Sequence, residues 1–198
     1  MSPAEVRPSR EPQEQQAARV GAIIAADPLR WQVLQQVQAL GLDDCWVGAG
    51  FVRNAVWDHL HGRACSPLDS DVDVIWFDRQ RCSAELDRQL EEQLRASHPG
   101  VDWSVKNQAR IHLKNGDRPY LSSADAMSYW PETATAVAVR LGAEGACEVC
   151  APLGLDDLLR LLIRPTTGFV ESKRPVFLER LRSKNWQGKW PLLRLEQG

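Results

Sequence analysis

The run Asp71-Val72-Asp73-Val74-Ile75-Trp76-Phe77 constrains this chain more than any other segment. Its β-branched and aromatic residues predict a strand over 72–77. Side chains alternate along a strand, so Asp71 and Asp73 share a face, about 6.5–7 Å apart along the chain. Two ionised carboxylates that close raise each other's pKa unless a cation neutralises them. Mg2+, or Mn2+ in its place, suits such a pair. It takes hard oxygen ligands and leaves its other positions to water and phosphate oxygens. Taken alone, an Asp-x-Asp is more simply two solvated acids at the head of a half-buried strand.

The segment upstream narrows the choice. Cys45-Trp46-Val47 reads as a short strand entering Gly48-Ala49-Gly50, with a helix over 51–60 directly behind. Glycines permit φ > 0 and let a ligand approach the backbone closely. The helix start offers unpaired N–H groups and a positive dipole end to an anion. Arg53 sits in its first turn. A phosphate-cradling turn and a metal-holding pair, separated by one helix and one loop, are what phosphoryl or nucleotidyl transfer requires. The apolar strand follows the first acid here; a phosphatase that uses Asp-x-Asp has its buried strand before it.

The rest of the chain is compatible with that chemistry. Its 198 residues carry 24 Lys+Arg against 26 Asp+Glu, which argues against coating nucleic acid by charge alone. The balance is uneven: between Arg160 and Arg194, nine Lys/Arg face only Glu171 and Glu179, a net +7. That basic end meets either phosphates or the acidic body. No run of about 18 apolar residues predicts a membrane span. Residues 1–16 lack the apolar core of an export signal. The five scattered cysteines then read as cytoplasmic thiols.

Residues 1–16 read as a flexible leader, 17–152 as an α+β core, and 153–198 as a helical segment packed on that core. Helices are expected over 17–26, from the Asp27-Pro28 cap to Gly41, from Ser83 to 96, from Ser122 or Ser123 to 129, over 155–163 and over 175–186. Further strands are expected over 101–106, 135–141 and 148–151. The eight tryptophans are expected to be mostly core. Trp186 and Trp190 are expected to pack on the last helix, with a basic aromatic surface as the alternative.

Val47-Gly48-Ala49-Gly50-Phe51-Val52-Arg53-Asn54, followed by Asp71-Val72-Asp73-Val74, resembles the nucleotidyltransferase superfamily of DNA polymerase β. It is nearest in style to the Gly-Gly-x-Val-Arg-Asp pattern of CCA-adding and poly(A)-adding enzymes. Ala49 and Asn54 depart from that pattern. Over about 31–195 the chain is similar to a bacterial nucleotidyltransferase-like family. Supporting segments are 103–112, 130–140 and 151–158.

The resemblance implies a mixed or antiparallel sheet flanked by helices. It implies that Asp71 and Asp73 bind metal, and that Gly48, Ala49, Gly50 and Arg53 hold an NTP. It also implies a third carboxylate on a neighbouring strand, for which Asp102 is the candidate; Ser104 and Lys106 would share its face. Lys106 and Arg110 would touch phosphate, unless they pair with the acidic body. The resulting expectation is Mg2+-dependent transfer of an NMP from an NTP to an acceptor hydroxyl, on a small molecule, an RNA end or a protein. The alternative is a non-catalytic nucleotide- or nucleic-acid-binding member of the same fold. Cys147-x-x-Cys150 has no second ligand pair for a zinc site, and Asp156-Asp157 suits an acidic first helical turn.

Overall fold

A computed structural model describes residues 11–196. The elements run α1 (Gln13–Ala25), α2 (Pro28–Gln38), β1 (Trp46–Gly48), α3 (Gly50–Leu60), β2 (Val72–Trp76), α4 (Ala84–Ser97), β3 (Trp103–Asn107), α5 (Gln108–Asn115), α6 (Ser123–Met127), β4 (Ala138–Leu141) and β5 (Cys147–Cys150). Then follow α7 (Asp156–Leu159), β6 (Leu162–Ile163), α8 (Thr167–Val170), α9 (Arg174–Lys184), α10 (Trp186–Lys189) and β7 (Arg194–Leu195). The architecture is α+β.

Short polar side chains start several helices. The Asp27 carboxylate accepts from the N–H groups of Leu29 and Arg30 at 3.0 and 3.1 Å, with Pro28 at the first helical position. Ser83 caps α4 through Leu86 N at 3.1 Å, and Ser122 caps α6 through Asp125 N at 3.0 Å. Each satisfies a donor the helix itself cannot.

The main sheet has the order β3-β2-β1-β4-β5. Only β2–β3 is parallel; the other pairs are antiparallel. One face carries Val47, Val72, Val74, Trp76, Val105 and Val139 into the main core, against α1 to α4. The opposite face is thinly covered: Ile75, Ala136, Ala138 and Met127 form a small second cluster under Trp130. Asp73 lies on this second face, opposite Gly48 on one side and Ser104 on the other. The apolar alternation of β2 thus leaves its acid where the sheet is least covered.

Helix α3 is buried over its first nine residues, Gly50 to Asp58. The C-terminal segment wraps it. Trp57 meets Trp186 and Trp190 edge-on, with ring centroids 5.9 and 5.2 Å apart. Asp58, 1% exposed, accepts from Trp190 Nε1 at 2.7 Å, Ser66 Oγ at 2.6 Å and Arg63 Nη1 at 2.5 Å.

Four expectations need correction. The first helix begins at Gln13, not 17, because Gln16 is buried and donates to Asp156 at 2.6 Å; the remainder of the expected leader, 1–10, lies outside the described residues. The helix expected over 155–163 stops at Leu159, since Leu161 adopts φ +56°. Leu162–Ile163 instead pair in parallel with Arg194–Leu195, so the C-terminal segment is not purely helical. The strand expected over 135–141 starts only at Ala138, after a 3-10 turn at Thr133–Thr135. Helix α5, capped by Asn107 and ended by Gly116 at φ +68°, was not expected; only Gln108 of it is buried, so it carries no apolar stripe to read.

Replacing Asp58 with alanine removes three hydrogen bonds and strands buried donors. The expected loss is about 3–5 kcal/mol of unfolding free energy, read by urea denaturation.

Candidate functional site

The turn between β1 and α3 takes its positive φ at Ala49 (φ +54°, ψ −123°), not at either neighbouring glycine. Ala49 N donates to Val137 O at 3.0 Å, which fixes the turn to the chain entering β4. The glycines serve by having no Cβ. At Gly48 a Cβ would stand 3.0 Å from the Trp130 ring and 3.2 Å from Val137 O; at Gly50 it would stand 3.1 Å from Ser70 Oγ. No side chain caps α3, so its first-turn N–H groups remain available to an anion.

Ala49 and Gly50 line a cavity of about 280 Å³ together with Arg53, Ser70, Asp71, Asp73, Thr135, Arg180 and Lys184. Asp71 is exposed at its mouth and Asp73 is half-buried within. Burial and then the neighbouring Asp71 push the Asp73 carboxyl up to about 6, against the pull of Lys106, Arg53 and Lys184. Arg53 is 6% exposed. Its Nη1 donates to Thr135 Oγ1 at 2.9 Å and its Nη2 to Asn54 Oδ1 at 3.0 Å, while Nε has no partner. Burial lowers its pKa to about 10, so it stays charged at neutral pH. Arg180 Nε is held at 2.7 Å by Glu132, itself 1% exposed.

A second cavity of about 280 Å³ shares Ala49, Asp73, Thr135 and Arg180 with the first and opens on the β3–α5 side. Its other walls are Ile75, Ser104, Lys106, Gln108, Ile111, Lys114, Asn115, Trp130 and Pro131. Asp73 therefore stands between two lobes, each with three lining cations, the second also walled by Ile75, Ile111, Trp130 and Pro131.

Of the residues picked out by sequence, Ala49, Gly50, Arg53, Asp71 and Asp73 meet in the first lobe, and Lys106 lies in the second. Gly48 pairs opposite Asp73 beneath Trp130. Two expected residues fall elsewhere. The parallel register sets Ser104 opposite Asp73; Asp102 is exposed before β3, with its carbonyl accepting from Val72 N at 2.7 Å, and it lines neither lobe. Arg110 turns away on α5, and its Nε donates to buried Asp87 at 3.0 Å. Sequence reasoning missed Thr135, Arg180, Lys184, Lys114 and Trp130 as lining residues. Arg180 and Lys184, four apart on α9, were visible as part of the basic C-terminal stretch. The rest of that stretch divides: Lys173 pairs with Asp117, Arg164 with Asp157 and Lys189 with Asp69.

Asp71 and Asp73 fit a divalent ion that takes only two protein carboxylates and completes its shell with substrate oxygens. No cluster of three or more His, Cys, Asp or Glu suited to a metal occurs among the described residues. The raised Asp73 pKa is the electrostatic stress that such an ion would relieve. Without metal, the stress appears between the ordinary carboxyl value of 3.8 and about 6, and it persists above. Asp73→Asn is therefore expected to be more stable than wild type at pH 7, by on the order of 1–3 kcal/mol. The advantage vanishes below about pH 4. Melting across pH in chelator checks this, and Mg2+ is expected to raise the melting temperature of wild type only.

A family model described as nucleotidyltransferase matches residues 35–195. No curated protein matches. A solved structure described as revealing a CCA-adding enzyme head domain is 36% identical, with TM-score 0.81, and covers 91% of this chain and 96% of its own. A Thermotoga maritima CCA-adding enzyme complexed with tRNA is 15% identical, with TM-score 0.54, over 91% of this chain and 42% of its own. A CCA-adding enzyme with CTP is 16% identical, with TM-score 0.53, over 94% and 43%. The chain thus spans less than half of those two enzymes, and they share its fold. With the family model spanning most of its length and a 36%-identical structure matching nearly all of it, the chain belongs to this nucleotidyltransferase family.

Proposed function

We propose that the protein is a divalent-metal-dependent enzyme that moves an NMP from an NTP to an acceptor hydroxyl. One observation carries the reading: the Asp71–Asp73 pair, the uncapped start of α3 and the cations Arg53, Arg180 and Lys184 line a single cavity. Arg53, Lys184 and the Glu132-paired Arg180 surround a space that a triphosphate arriving with its metal would fill.

In this reading the first-turn N–H groups of α3 and Arg53 bind the β- and γ-phosphates. Lys184 and Arg180 add charge on the opposite wall, and Glu132 keeps Arg180 in place. Asp71 and Asp73 would hold Mg2+ or Mn2+, which would neutralise charge developing in the transition state. The acceptor oxygen forms a bond to the α-phosphorus, pyrophosphate leaves with the bonding pair, and the hydroxyl proton passes to water. Five unpaired thiols support a reducing, cytoplasmic setting. Ser104 opposite Asp73 favours a second reading, a non-catalytic protein that binds nucleotide at the same lobe.

Thermal melting with Mg2+ and each NTP tests the first. A ligand at about 100 times its Kd adds roughly 2.7 kcal/mol, or about 5–10 °C here. The expected shift needs Mg2+ and is lost in Asp71→Asn. Pyrophosphate release on adding an acceptor separates catalysis from mere binding, and nucleotide binding unchanged by chelator and by Asp71→Asn would overturn the reading.

A further inference from the structure

Two lysines, Lys106 and Lys114, line the second lobe on the β3–α5 side of Asp73, and they differ from most basic residues among those described. Arg30, Arg63, Arg110, Arg118, Arg140, Arg164, Lys173, Arg180 and Lys189 all pair with carboxylates. Lys106 and Lys114 make no ion pair among the described residues. Lys106 Nζ reaches only its neighbour's carbonyl, Val105 O, at 3.4 Å. Both line a lobe whose single acid is Asp73. That acid already faces Asp71; Lys106 acts on it from this lobe without pairing with it, and the other lobe adds Arg53 and Lys184.

Displacement at phosphorus places the attacking and leaving oxygens roughly in line, on opposite sides of the reacting atom. If pyrophosphate leaves toward α3, the attacking hydroxyl enters from the β3–α5 side, through this lobe. Here the wall opposite Asp73 is Ser104, with no carboxylate, so nothing in the lobe repels an anion except Asp73 itself. We propose that the second lobe is the acceptor site and that it takes an alcohol bearing a phosphate. Lys106 and Lys114 hold the phosphate, while Gln108 and the Trp130 ring flank the carbon skeleton. This inference rests on the nucleotidyl-transfer reading and adds the class of acceptor to it. A small phosphomonoester and the phosphodiester end of an oligoribonucleotide present the same chemistry.

Calorimetry on the full chain tests it in two stages. Binding of a non-hydrolysable NTP with Mg2+ comes first; its absence in wild type would sink nucleotidyl transfer itself, and the acceptor assignment with it. The nucleotide-saturated protein is then titrated with ribose, ribose 5-phosphate and a short oligoribonucleotide. One of the two anions is expected to bind at least tenfold more tightly than ribose, and which one does identifies the source of the phosphate. Lys114→Glu is expected to remove that preference, with nucleotide binding within twofold of wild type showing that the variant is folded. Lys106→Met is expected to weaken it in the same direction. Nucleotide binding with no preference for either anion over ribose would overturn the proposal alone. So would a preference that survives Lys114→Glu.

Discussion

The burial of Arg53 is the constraint on which the site depends. A guanidinium taken wholly out of water loses hydration that only close partners replace. Arg53 is compensated by hydrogen bonds to Thr135 and Asn54, and by the faces of Trp57 and Trp186 at 5.1 and 4.7 Å from its central carbon. Trp57 belongs to the same helix, but Trp186 arrives from the far end of the chain. The C-terminal segment therefore builds the support beneath Arg53. The Asp58–Trp190 hydrogen bond, one turn further along α3, fastens that segment to the helix it covers.

Opposite charges in the first lobe are stressed in opposite senses. Burial drives Arg53 down and Asp73 up, in each case toward neutrality. The two groups line one cavity without bonding to each other. Collapse into an ion pair would relieve both and destroy the site. Thr135 and Asn54 prevent this by holding the guanidinium, and β2 prevents it by fixing Asp73 on the sheet. A metal–triphosphate carries both compensating charges at once, so binding would relax two unfavourable burials together.

Much of this was legible because it is local. Asp27-Pro28, Ser83 and Ser122 announce helices through caps that involve only their own next three residues. The Asp71-to-Phe77 alternation fixes which face the acids take. What was not legible depends on partners distant in sequence. The apolar run after Leu155 reads as one helix until β7 offers Leu162 and Ile163 a strand partner. Asp102 and Ser104 share a face, and only the parallel register decides which stands opposite Asp73. Arg110 sits beside lining residues in sequence, yet α5 rotates it toward Asp87, a buried acid that also accepts from Trp76 Nε1 at 2.9 Å. Arg180 and Lys184 reach the site from more than a hundred residues beyond the acid pair.

The Glu132–Arg180 pair shows where the fold favours geometry over stability. Glu132 is almost fully buried, and its desolvation offsets most of the attraction to Arg180. An apolar pair of similar volume would hold the chain there as well. Such a pair would leave the wall common to both lobes without a positive charge. Glu132 begins the 3-10 turn that delivers Thr135, while Arg180 and Lys184 lie one turn apart on α9. A single buried carboxylate thus aligns the segment that holds Arg53 with the helix that supplies the other two cations. Its contribution is the relative position of three positive charges around one cavity.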